Sequence, residues 1–64
     1  MTKQEARIEI WRDRKNIDDL TEARSIAWDA GDKEAYKAIT SAIRDLNQDI
    51  HALTEAYGIE EVEA

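Results

Sequence analysis

Residues 36–57 read YKAITSAIRDLNQDIHALTEAY. Taken at alternating steps of three and four, this stretch yields Tyr36, Ile39, Ile43, Leu46, Ile50, Leu53 and Tyr57. Each is large and apolar or amphipathic, and the spacing holds without a break. Such a seam specifies a helix with one apolar face. A lone helix cannot bury that face, because helical stability in a protein comes mostly from packing. The remaining residues are therefore read as its cover.

Upstream, Asp29-Ala30-Gly31-Asp32 is the one strong break in helical pattern. Gly31 suits the left-handed residue that closes a helix. Asp32 suits the N-cap of the next, with Glu34 favourable in its first turn. Thr2 and Glu5 form a T-x-x-E capping box. The spacing predicts a helix over 3–30, a turn at 31–32 and a second helix over 33–57, stopped by Gly58 with Ile59 folding back onto the last turn. A turn this short makes the pair an antiparallel hairpin. Residues 59–64, including Glu60, Glu61, Val62 and Glu63, are expected to form an acidic, frayed tail.

The first helix offers Ala6, Ile10, Ile17, Leu20, Ala27 and Trp28 as its buried stripe. Asp13 and Arg24 interrupt it at core-facing angles. They are expected at the edge, reaching solvent as long side chains can. The alternative is a polar contact across helices that sets register. Flanking the second helix's seam are Ala35, Ala42, Asp49 and Ala56 on one side and Lys33, Thr40, Asn47 and Thr54 on the other. These are mostly small, which widens the apolar face and suits a bundle. The stripe of the first helix is narrower than that face. The expected fold is thus all-α, an antiparallel two-helix hairpin dimerising into a four-helix bundle. Its core and oligomer interface would hold Ile10, Ile17, Leu20 and the seven seam residues. A lone hairpin is the runner-up.

Composition agrees with a need for a second chain. A 64-residue chain buries only about 60% of its unfolded surface. It has no cysteine, so neither disulfides nor thiolate metal sites can supplement the core. The net charge is −6, which opposes general attraction to phosphate backbones and anionic membranes. No apolar run approaches the ~20 residues of a membrane span, and no signal-peptide pattern is present. A cytoplasmic protein is the expectation.

Candidate chemistry is sparse. Trp11, Arg12, Arg14 and Lys15, with Lys3 and Arg7 upstream, form the one basic and aromatic cluster. It could touch phosphates while Trp11 stacks on a base. The competing reading is a solvated face with Arg14–Asp18 and Lys15–Asp19 pairs one turn apart. Residues 1–30 hold six basic and seven acidic side chains, and 31–64 hold three and eight, so the negative charge belongs to the second half. Asp18, Asp19, Glu22, Asp45 and Asp49 are expected to point outward, and the Glu-x-x-His motif of bundle metal sites is missing. His51, the single histidine, has no nucleophile or carboxylate constellation around it. No metal, cofactor or catalytic residue is expected. Ile8, Trp11, Arg14 and Lys15 are the candidate partner-binding residues, since tryptophan often anchors interfaces.

The opening Met1-Thr2-Lys3-Gln4-Glu5, the length and the single-turn hairpin resemble the Rop family of small plasmid proteins. That resemblance implies a dimeric four-helix bundle and pairing of RNA loops. Of the family's RNA-facing positions Lys3 is present, whereas Ile10, Arg14 and Asp18 depart. The leading expectation is a non-enzymatic protein–protein interaction module that binds itself and an unidentified protein, as a phage or plasmid regulator or assembly factor. The alternatives are a Rop-like RNA-binding hairpin, or an acidic inhibitor that imitates nucleic acid to block a host protein.

Overall fold

The computed structural model describes residues 1–60. Two helices account for almost all of them: α1, Lys3–Asp29, and α2, Lys33–Tyr57. They pack side by side as an antiparallel hairpin about 41 Å long, close to the length of α1 at ~1.5 Å per residue. No strand occurs among the described residues. No helix there is long and apolar enough to cross a membrane. The expected tail residues Glu61, Val62, Glu63 and Ala64 lie outside the described residues.

Local chemistry fixes each helix end. At the start of α1 the Thr2 backbone N–H donates to Glu5 Oε1 at 2.9 Å, and the Glu5 N–H donates to Thr2 Oγ1 at 3.1 Å. The hydrogen bond from the Thr2 backbone, then that from its side chain, holds the Glu5 carboxyl below its ordinary value. α1 ends at Asp29 and not Ala30, because Ala30 is its C-cap. Gly31 then turns left-handed at φ 71°. The Gly31 N–H donates to the Trp28 carbonyl and the Asp32 N–H to the Ala27 carbonyl, the paired bonds of a Schellman closure. Asp32 also opens α2, its carboxylate accepting from the Ala35 N–H at 3.1 Å. One residue so closes one helix and caps the next, leaving the chain no room for anything but reversal. Gly58, at φ 59°, repeats the left-handed ending, and the Ile59 N–H reaches back to the Thr54 carbonyl.

The seam of α2 faces α1. Ile43 and Ile50 are buried, and Tyr36, Ile39, Leu46, Leu53 and Tyr57 are half-buried. From α1 come buried Ala6, Ile10 and Ala27 and half-buried Ile17 and Leu20. Two expectations for α1 are corrected. Trp28 is 69% exposed: Ala27 takes the inward angle, and the indole lies outside against Tyr36, ring centroids 5.2 Å apart. Asp13 is only 4% exposed, so it belongs to the packed stripe and not to its edge. Arg24 is half-buried, its guanidinium 5.9 Å from the centre of the Tyr36 ring.

A Cβ placed on Gly31 meets no atom within 4 Å, so Gly31→Ala carries only the left-handed backbone penalty. The expected loss is about 1 kcal/mol, a fall of several degrees in thermal midpoint with helicity retained, measured by far-ultraviolet circular dichroism.

Candidate functional site

Three surfaces carry chemistry. The first is the one the sequence singled out. Ile8, Trp11 and Lys15 come together along the outer side of α1, all exposed. Lys15 Nζ lies 5.4 Å over the Trp11 ring, so its charge is directed at the indole and not at Asp19. An exposed cation–π contact of this kind is worth ~0.5–1 kcal/mol. Arg14 stands one turn beyond Trp11, on the side toward α2. It is exposed, makes a contact of its own, and borders the inter-helix groove with Ile17, Asp18, Asn47 and Ile50. Ile26 and Trp28, at 64% and 69% exposure, add separate apolar points.

The second surface is the open side of the seam. None of the described large side chains is fully buried. At the turn end, Ala27, Trp28, Gly31, Asp32, Lys33, Tyr36 and Lys37 border an open cavity of ≈ 440 Å³. On the other flank Thr40 Oγ1 is buried without a hydrogen-bond partner, whereas Thr54 Oγ1 is satisfied by donating to the Ile50 carbonyl at 2.7 Å.

The third surface is a carboxylate cluster that reading residue by residue misses. Glu9 and Asp13, one turn apart on α1, meet Asp49 from α2. One oxygen of each lies within 4.8 Å of the others. Glu9 is half-buried, Asp13 buried and Asp49 exposed. Asp13 Oδ2 is buried without a hydrogen-bond partner. Asp49 thus does not simply point outward, although Asp18, Asp19, Glu22 and Asp45 are exposed as expected of them. Two signals in the sequence lead to the cluster: Asp13 falls in phase with Ile10 and Ile17, and Asp13 and Asp49 are equally far from Gly31. His51 is exposed, with Nε2 3.2 Å from Glu55 Oε1. Its carboxylate neighbour is one turn onward, and so exposed a pair adds little stability.

Burial pushes the Asp13 carboxyl up, from 3.8 to about 6, aided by its hydrogen bond with Asp49 and by the charges of Asp49 and Glu9. The folded chain therefore holds this proton more tightly than the unfolded chain does. The stabilisation is complete below pH ~4, declines as pH rises, and is gone above pH ~6.

The chain matches no protein-family model, no curated protein and no solved structure. The reading of its surfaces rests on their geometry.

Asp13→Asn keeps the shape and a hydrogen-bond donor toward Asp49 while removing the buried charge. At pH 7.5 it should raise stability by up to ~3 kcal/mol, from a shift of about two units at ~1.4 kcal/mol each. At pH 4 the gain should largely vanish. Urea unfolding of both proteins at the two pH values measures the difference.

Proposed function

We propose that the chain is a non-enzymatic interaction module whose first partner is a second copy of itself, two hairpins closing a four-helix bundle. The observation that carries this reading is the half-exposed seam. Tyr36, Ile39, Leu46, Leu53 and Tyr57 remain only half-covered by α1, and the fully packed core is limited to Ala6, Ile10, Ala27, Ile43 and Ile50. A single hairpin leaves apolar area in water at ~25 cal/mol per Å². A second copy covers it with the same face, as two-fold self-complementary interfaces do. The flanks favour this occupant. Ala35, Ala42 and Ala56 on one side and Thr40, Asn47 and Thr54 on the other permit close approach. Apart from Lys33 and Asp49, they place no charge there.

In the dimer the two Ile8–Trp11–Lys15 rows lie outside the shared core and serve as the contact points for a further protein. Nucleic acid is the weaker occupant. Lys15 covers Trp11, Asp18 and Asp19 stand beside the basic residues, and the net charge of −6 doubles on dimerisation. Specific contacts to phosphate must overcome that field and weaken steeply with salt.

Sedimentation equilibrium at micromolar concentration should give twice the 7.3 kDa chain mass. A 7.3 kDa species with a cooperative thermal transition rejects the dimer. Leu46→Ala, in mid-seam, should cost ~2–5 kcal/mol when a second copy completes its burial, and the variant should dissociate or unfold. A cost well below that range, in a protein that remains a monomer, marks a lone hairpin.

Titration of labelled stem-loop RNA and duplex DNA at ~150 mM salt should show no binding. Micromolar affinity abolished by Arg14→Ala/Lys15→Ala replaces this reading with nucleic-acid binding.

A further inference from the structure

We propose that Glu9, Asp13 and Asp49 bind one Ca²⁺ ion between α1 and α2. Two independent observations converge here. The first is the donor set: three carboxylates from two helices, with one oxygen of each within 4.8 Å of the others. The second is Asp13 itself, 4% exposed, with Oδ2 buried and lacking any hydrogen-bond partner. A carboxylate oxygen held out of water without a partner carries a desolvation penalty, which a cation removes. The two charges that act most on Asp13 are those of Asp49 and Glu9, both negative. The chain thus gathers like charges at this point, and an added cation neutralises them.

The choice of ion follows from donor type and coordination. Hard oxygen donors select Ca²⁺ or Mg²⁺ over softer metals. The three oxygens all lie within 4.8 Å of one another, close enough to share an ion of either size. Ca²⁺ tolerates irregular coordination completed by water, whereas Mg²⁺ demands near-ideal octahedral geometry. The exposure of Asp49 leaves the outer side of the site open for that water and for entry of the ion. All three ligands belong to one chain, so the site does not depend on a second copy.

Bound Ca²⁺ ties the middle of α1 to the middle of α2 and should stabilise the hairpin by mass action. The test uses the intact chain at fixed concentration, pH 7.5 and ~150 mM NaCl, melted with EDTA, with CaCl₂ or with MgCl₂ at a few millimolar. Ca²⁺ should raise the midpoint by about 5 °C or more, with a smaller rise in Mg²⁺. Isothermal titration calorimetry should give one Ca²⁺ per chain. Asp13→Asn and Asp49→Asn should each remain helical in EDTA and lose the Ca²⁺ response, whereas Asp18→Asn/Asp19→Asn should keep it. No rise with Ca²⁺ overturns the site. So does a rise that survives in Asp13→Asn and Asp49→Asn, or one lost equally in the Asp18→Asn/Asp19→Asn control, since general screening would then explain it.

Discussion

A two-helix hairpin has a single internal interface, and every stabilising contact between its elements must fall there. Each helix has one side toward its neighbour and three toward water. The capping box at Thr2, the Schellman closure over Gly31 and the cap at Asp32 each contribute on the order of 1 kcal/mol. They fix where helices begin and end. They cannot replace a core, and the core here consists of two alanines and three isoleucines with half-covered neighbours. Ala6 and Ala27 stand near opposite ends of α1. Between them along α1 lie the larger Ile10, Ile17 and Leu20, buried or half-buried in the middle of the helix.

That middle is where the chain places a carboxylate. A polar group at a seam position lowers stability but specifies register, and the neighbours of Asp13 show how. Ala35, Ala42, Asp49 and Ala56 recur at one heptad position of α2, and Asp49 alone among them can share a proton or a cation with Asp13. Sliding α2 by one heptad would set Asp13 against Ala42 or Ala56, burying the carboxylate with no partner. The native register lowers that penalty when a proton or a cation is shared between Asp13 and Asp49. Half-buried Arg24 plays a gentler part toward the turn, its guanidinium 5.9 Å from the centre of the Tyr36 ring.

The seam of α2 and the turn at Gly31 were legible because residue type and heptad phase agree there. In α1 they disagree, and phase decides. Ala6, Ile10, Asp13, Ile17, Leu20, Arg24 and Ala27 alternate by four and three without interruption, and all are buried or half-buried. Trp28 is out of phase and remains outside despite its size. Judging positions by hydrophobicity therefore exchanges Asp13 for Trp28. Pairing positions equidistant from Gly31 would have brought Asp13 to Asp49, and Glu9 follows one turn before Asp13. The function was less legible for a physical reason: an apolar seam states how much area must be covered and says little about what covers it.

Charge ties the core to the proposed assembly. Two chains of net charge −6 repel at long range, though screening at physiological salt confines this to ~8 Å. What matters is charge close to the contact. Most seam flanks are uncharged, and Asp49 is the acidic exception, standing where a second hairpin would pack. Held against Asp13 and Glu9, it would bring a cluster of negative charge toward that contact in each copy. A proton shared between Asp13 and Asp49, or a cation among the three, reduces that repulsion. Linkage is reciprocal: whatever neutralises the cluster favours association by the same factor by which association favours neutralisation. In the proposed dimer, the carboxylate pair that bears on register within one hairpin would thereby also bear on the pairing of two.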